Sequence, residues 1–338
     1  MKKALALIVL ILLAYFLGPT PDQPAYSSEL PDVPEYSAAV ETYVEALEIN
    51  HPVKPDNEAQ IVWSDPEKKE KTAVAVVYLH GFTASRMEGN PVHRTFAEKY
   101  GCNLYLARLH GHGLETDDPL IDFTVEDLWE SAKEAYAIGK SLGDEVIIMS
   151  TSTGGTLALK LAATYPDIKG LINFSPNIEI NNPAAFLLNN PWGLYIARLN
   201  YGGKYRTVES DETYRKYWYD KYRIEAIVEL QELVETAATE ETFKQITCPV
   251  LNGVYFRDEE NQDPVVRVSA VREMHKNLST PPDQKVLVTF PNANTHVIAS
   301  GIKSESIPQV MAALDAFAQN QLEMSQVQKK LEPTTLEQ

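Results

Sequence analysis

The sequence predicts an α/β protein: a mostly parallel sheet covered on both faces by helices, with a helical cap inserted over the carboxyl ends of the strands. Three observations carry this. Short β-branched runs alternate with helix-length segments from residue 74 to residue 174 and again after residue 250, the pattern of strands buried on both faces. The run Val146-Ile147-Ile148-Met149-Ser150-Thr151-Ser152-Thr153-Gly154-Gly155-Thr156 reads as a buried strand, a sharp turn and a helix start. Between residues 175 and 247 the alternation stops, and tyrosine, tryptophan and proline accumulate.

Taken in order, Lys2 and Lys3 precede an apolar segment, residues 4–17. That is the layout of a secretory signal or N-terminal anchor, short for a relaxed membrane span. Its best cleavage site, Ala25-Tyr26-Ser27, lies downstream among prolines, so cleavage after export and retention by membrane attachment both stay open; no cysteine follows, which excludes lipoprotein processing. Residues 18–34 read as a linker. Tyr36, Val40, Tyr43, Val44 and Leu47 recur at helical spacing and predict a short amphipathic helix packed on a main domain spanning 35–325. A strand at 74–79 is followed by a helix at 92–100, ended by Gly101, and a strand at 103–108. Thr124-Val125-Glu126-Asp127 gives a helix start signal, and that helix runs toward Gly143. The turn strand, a helix to Tyr165 and a strand at 170–174 come next; strands at 250–255 and 286–290 and a polar tail at 326–338 complete the chain.

Ser152 sits at the apex of the strand-turn-helix run, with Ser150 and Gly154 as flanks. A nucleophile on such a turn needs small neighbours because the backbone folds back on itself. The strict pattern is G-x-S-x-G; here the first position is serine. Ser150 as the nucleophile would put Ile148 where a small residue is required. After the strand at 74–79, the turn His80-Gly81-Phe82-Thr83 can aim backbone N–H groups at a cavity. Phe82 N–H, with that of Thr153, would stabilise an oxyanion. Asp263 follows one later strand and His296 the next, giving the order Ser…Asp…His. Asp258 lies nearer the end of its strand and stays an alternative acid. Asp263 also reads as an N-cap with Pro264 at the first helical position, and His296 as a surface-loop histidine.

These residues, with the Leu109-His110-Gly111-His112-Gly113 loop and Asp263-Pro264-Val265-Val266, resemble the α/β-hydrolase superfamily, over residues 70–322. The nearest likeness is to its carboxylesterase and monoacylglycerol-lipase-like members. The resemblance implies an α/β-hydrolase fold, a Ser152–His296–Asp263 triad working through an acyl-enzyme, Phe82 and Thr153 as oxyanion donors, and His80 and Gly81 as shapers of that turn. It also implies that the segment between 175 and 247 occupies the place of a lid. Phe186, Leu187 and Trp192 in that segment are candidate contacts for an acyl chain, and the expected substrate is a small-molecule carboxylic ester of small to medium acyl length. Cleavage of another acyl bond by the same triad, or a catalytically silent binding protein on this fold, remain the alternatives.

Composition bounds the rest. The 338 residues carry a formal net charge of −17, which disfavours nucleic acid, whose phosphates need clustered Lys and Arg. No P-loop or G-x-G-x-x-G pattern appears, so no nucleotide cofactor is indicated. His110 and His112 lack further ligands at metal-site spacing, so no metal is expected. In the strand order that the resemblance implies, Cys102 and Cys248 open strands several positions apart at about 4.8 Å per step, beyond the roughly 7 Å reach of a disulfide, which predicts two free, buried thiols.

Overall fold

The computed structural model describes residues 2–327; all but the start of the polar tail assigned to 326–338 lies outside them. The chain forms α1 (Lys2–Phe16), α2 (Ser37–Glu48), β1 (Gln60–Val62), β2 (Thr72–Leu79), α3 (Val92–Tyr100), β3 (Asn103–Leu106), α4 (Val125–Leu142), β4 (Gly143–Thr151), α5 (Thr153–Thr164) and β5 (Gly170–Phe174). The inserted stretch then gives α6 (Gly193–Tyr201), β6 (Tyr205–Thr207), α7 (Glu212–Tyr217), β7 (Lys221–Arg223), α8 (Ile224–Ala237) and α9 (Glu240–Gln245). The chain returns to the sheet with β8 (Val250–Val254), α10 (Val268–Asn277), β9 (Lys285–Thr289) and α11 (Ile307–Asn320).

The sheet has the order β1-β3-β2-β4-β5-β8-β9, parallel throughout except for the β1–β3 pair. Alternation along β2 shows why it holds. Ala75, Val77 and Leu79 join the core shared with α4, α5 and α8, while Val74, Val76 and Tyr78 join the core shared with α3 and α11. Successive side chains of a strand point to opposite faces, so an unbroken apolar run is what a doubly covered strand requires. Helix boundaries follow local chemistry. The Thr124 side chain accepts from Asp127 N–H at the start of α4, and Gly101 ends α3 in the left-handed region at φ 65°. Strand β1 had no legible signal, since three half-buried residues at an edge show no pattern.

Several expectations need correction. Residues 18–34 are a strap, not a loose linker. Trp129 Nε1 donates to Ser27 O at 2.7 Å, Lys133 Nζ to Glu29 O at 2.7 Å and Tyr165 Oη to Ser28 O at 3.0 Å. Tyr26, Leu30 and Val33 pack on the core. The inserted stretch is not purely helical, because β6 and β7 pair antiparallel within it. Its helix α8 is part of the main core rather than an outlying element. No helix begins at Pro264; Asp263 Oδ1 instead accepts from Val265 and Val266 N–H in a tight turn, and α10 starts four residues later at Val268. Both cysteines are free and lie just before β3 and β8, which β2, β4 and β5 separate, but only Cys102 is buried and Cys248 is half-buried. Helix α1 has 15 residues, and no described helix is long and apolar enough to cross a membrane.

Trp129 is fully buried and holds the strap through its indole N–H. Trp129→Ala is expected to cost about 3–5 kcal/mol, and Trp129→Phe about 1 kcal/mol from the lost hydrogen bond, both read from urea unfolding midpoints. Equal, negligible losses in both would show that the strap is not anchored there.

Candidate active site

The turn after β4 places Ser152 at φ 54°, ψ −117°, a conformation sparsely populated for a residue with a Cβ. Helix α5 packs there at very close range against the end of β2 and the turn after β5. A Cβ on Gly154 would lie 2.1 Å from Leu79 O, and one on Gly155 2.7 Å from Pro176 Cβ. Only glycine fits at either position, which is why the turn carries a glycine pair. The turn is pinned by Ser152 N–H to Phe174 O at 3.0 Å, and Ser152 O accepts from Asn177 N–H at 3.0 Å.

Ser150 remains in the sheet, fully buried, and donates to Asn173 Oδ1 at 2.8 Å. Asn173 Nδ2 donates to Asn252 Oδ1 at 3.0 Å, and Asn252 Nδ2 donates to His275 Nδ1 at 3.1 Å. The departure from glycine at the first position of the motif therefore has a structural reason: Ser150 starts a polar chain that crosses three strands. The motif alone gave no signal of it, because the partners lie on β5, β8 and α10.

Asp263 is fully buried, and its Oδ2 accepts from His296 Nδ1 at 2.8 Å. The polar excursion after β8 folds onto itself. Phe256 pairs with Gln262, Asp258 accepts from the Asn261 side chain and backbone, and Asp263 N–H returns to Tyr255 O at 3.0 Å. The inserted residues thus add length without moving Asp263 from the strand end. Asp258 stays outside, in solvent. Arg257 clasps the histidine loop, donating to Pro291 O at 3.0 Å and Asn294 Oδ1 at 2.9 Å. Burial pushes against ionising either partner, but the Asp263 carboxylate, its hydrogen bond and nearby Glu88 hold the His296 pKa above the usual imidazole value. His296 and the Val265 and Val266 N–H groups keep Asp263 below the usual carboxylate range.

His296 Nε2 has no hydrogen-bond partner among the described residues. His296 lines a cavity of about 350 Å³ together with Ser152, Thr153, Phe82 and Asn177. Thr153 is the first residue of α5, so its N–H is free of an intrahelical partner and sits at the positive end of the helix. The Phe82 ring packs edge-on against Phe123 and Tyr222, each at 5.2 Å. His80 is fully buried; Nδ1 donates to Gly81 O at 2.9 Å and Nε2 accepts from Leu109 N–H at 3.1 Å, joining the turn to the 109–113 loop. Burial lowers its pKa to about 4, so it is neutral, and with both ring nitrogens engaged it has no lone pair to offer as a base. His112 packs edge-on against His80 with ring centres 4.9 Å apart, while His110 turns outward toward Asp127. Among the described residues no group of three or more His, Cys, Asp or Glu is placed to hold a metal.

Phe186, Leu187 and Trp192 do not line this cavity. Phe186 lines a separate surface groove beside α10 and is 55% exposed. Trp192 Nε1 donates to Ala14 O at 2.9 Å, against the end of α1. The inserted stretch instead supplies Ala185, Leu188, Tyr201, Trp218, Tyr222 and Leu230 to the cavity wall. It is tied to the turn after β2 by Tyr219 N–H to Thr83 O at 2.9 Å.

Sequence reasoning passed over Glu88. It lies in a 3-10 turn, 2% exposed, and lines the cavity. Its Oε2 accepts from Gly81 N–H at 2.6 Å, and the Trp218 and Tyr78 side chains also bond to it. A Cβ on Gly81 would lie 3.0 Å from both Glu88 Oε1 and Ser152 Cβ, so acid and serine flank one glycine. Burial pushes the Glu88 pKa from 4.5 to about 7. No periodicity or motif marks such a residue in the sequence.

The sequence profile of the family described as serine aminopeptidase, S33, matches residues 70–296. With the parallel sheet and the serine turn, this makes the chain an α/β hydrolase. It belongs to the serine aminopeptidase, S33 family. The thermostable monoacylglycerol lipase of Bacillus sp. (strain H-257) is 28% identical over 201 residues, covering 60% of this chain and 76% of that protein. Among solved structures, one reported for the metagenome-derived lipolytic enzymes LipS and LipT superposes with a TM-score of 0.64 at 19% identity, covering 79% of this chain and 99% of that one. Est1E of Butyrivibrio proteoclasticus with bound ferulic acid gives 0.53 at 19% identity, covering 79% and 95%. These likenesses establish the shared fold.

The Glu88 shift has a signed consequence. Between pH 4.5 and about 7 the unfolded chain releases this proton while the folded chain keeps it, so the group lowers stability as pH rises through that window. Glu88→Gln should therefore gain stability relative to the parent as pH rises, read as the difference in unfolding free energy at pH values below and above the window. A difference independent of pH would contradict the buried, proton-holding carboxyl.

Proposed function

We propose that the protein is a serine esterase that cleaves carboxylic esters of small to medium acyl chains through an acyl-enzyme on Ser152. The observation that carries this reading is the buried Asp263–His296 hydrogen bond, which leaves the other imidazole nitrogen unpartnered in a residue that lines the same cavity as Ser152. Serine hydroxyl is a weak nucleophile at neutral pH and needs a base. In this mechanism Ser152 Oγ attacks the ester carbon while His296 Nε2 takes its proton. The carbonyl oxygen becomes an oxyanion held by the Phe82 and Thr153 N–H groups. The C–O bond then breaks, and His296 returns the proton to the leaving alkoxide. Water, activated by the same imidazole, attacks the acyl-enzyme; the products are carboxylic acid and alcohol. Asp263 keeps the proton on Nδ1 and stabilises the imidazolium as it forms.

The size and largely apolar wall of the cavity favour a short or medium acyl chain over a long one. The name of the Bacillus relative supports an ester rather than an amide. Export from the cytoplasm, suggested by Lys2, Lys3 and the apolar residues after them, belongs to the same reading.

A fluorophosphonate probe should label the parent on Ser152, and a chromogenic ester series should be cleaved with a maximum at short or medium acyl length. Ser152→Ala should lose labelling and more than about a thousandfold in kcat while its unfolding midpoint holds. Activity should fall as pH drops through the raised His296 pKa, because the protonated imidazole cannot accept the serine proton. Full ester cleavage by Ser152→Ala would overturn the assignment.

A further inference from the structure

Two cations line the cavity that Ser152 and His296 share: Arg206, on β6, and Lys303, on the loop between His296 and α11. Arg206 is half-buried and Lys303 exposed, so both keep surface in contact with solvent. Their charged ends lie over rings that line the same cavity. The Arg206 guanidinium carbon is 5.7 Å from the centre of the Tyr201 ring, and Lys303 Nζ is 5.4 Å from that of Tyr214. Strand pairing sets the direction of Arg206. It lies directly opposite Tyr222 in the β6–β7 pair, and residues so paired project from one face. The Tyr222 ring is buried and packs at 5.2 Å on Phe82, which lines the cavity with Ser152. Burial raises the pKa of the Tyr214 and Tyr222 hydroxyls, and the nearby Arg206 charge works against that rise.

Neither cation forms an ion pair among the described residues. The other face of the same hairpin gives the contrast. There Arg223, opposite Tyr205, is paired with Asp118 at 3.2 Å and with Glu225. An aromatic ring attracts a cation through its quadrupole but supplies no counter-charge. Glu88 is the one acid among the described lining residues, and Gly81, Tyr78 and Trp218 hold it. In a chain of net charge −17 the cavity thus carries a local excess of positive charge, and a cleft of one sign draws in the opposite one. We propose that Arg206 and Lys303 form a subsite for a carboxylate that the substrate carries apart from the reacting ester. The preferred substrates are then anionic esters, such as monoesters of dicarboxylic acids, rather than neutral ones. The guanidinium fork matches a carboxylate, and the ammonium adds a second charge. A singly charged group suits the site better than a dianionic phosphate, because the acidic surface around it repels the higher charge more strongly. This inference rests on the esterase reading above.

Matched pairs test it on the full chain. Monoethyl succinate, adipate and suberate are each compared with the ester whose free acid is replaced by a carboxamide, which keeps the shape and removes the charge. The butanoyl ester of γ-hydroxybutyrate and its carboxamide place the charge on the alcohol side instead. In at least one pair the parent should prefer the carboxylate by about tenfold or more in kcat/KM, and the preference should shrink as salt is added. Arg206→Gln and Lys303→Gln should each lower that ratio through a higher KM for the carboxylate ester, and the double variant should bring it to unity. Arg206→Lys, which keeps the charge, should retain more of the preference than Arg206→Gln. Lys303 is exposed, so Lys303→Gln gives an answer even where Arg206→Gln fails to fold. A parent ratio near or below unity in every pair overturns the inference, as does a ratio that neither Lys303→Gln nor the double variant lowers. Fluorophosphonate labelling of the parent is measured alongside. A parent that labels but cleaves these esters without preference, or cleaves none of them, defeats this inference alone; one that neither labels nor cleaves any ester defeats the esterase reading with it.

Discussion

The hydrogen bond between Asp263 and His296 is the constraint on which the site depends. A carboxyl buried as completely as Asp263 would hold its proton if left alone. It ionises because Oδ2 receives the imidazole N–H while Oδ1 receives two backbone N–H groups. The imidazole in turn must carry its proton on Nδ1, which leaves Nε2 with a lone pair and no partner among the described residues. Much of the surrounding loop structure serves this one geometry. The Phe256–Gln262 bridge closes the acidic excursion, and Arg257 ties the aspartate loop to the histidine loop.

The sheet supplies the other half of the arrangement. Close packing of α5 against the end of β2 demands glycine at 154 and forces Ser152 into a strained turn, which lifts its side chain out of the strand plane. Strain of this kind persists only when neighbouring contacts over-determine it. Here they are the Ser152 bonds to Phe174 and Asn177 and the polar chain from Ser150 to His275. Thr83, Ser175 and Asn294, all in the turns that frame the cavity, also have positive φ.

The parallel sheet was legible because strands buried on both faces must be continuously apolar, and because Gly101 and Thr124 mark helix ends through local chemistry. Ser152, Asp263 and His296 were legible because each follows a strand in a recognisable order. What escaped was set by contacts distant in sequence. The polar composition of residues 18–34 gives no hint that Trp129, Lys133 and Tyr165 will bind their carbonyls. The apolar character of Phe186 and Leu187 could not say which side of the inserted stretch meets the cavity. Pro264 after Asp263 looked like a helix start, but the two N–H groups it precedes turn back to the carboxylate instead. Glu88 is the plainest case, since only the folded chain shows that an acid six residues past Phe82 returns to face Ser152.

Nitrogen-15 NMR of the His296 ring tests the central claim most directly, because it reads the position of the proton. At a pH above the imidazole titration, the account predicts a proton on Nδ1, a bare Nε2, and loss of this fixed tautomer in Asp263→Asn. A proton resting on Nε2 in the parent, or a tautomer indifferent to Asp263→Asn, would contradict it.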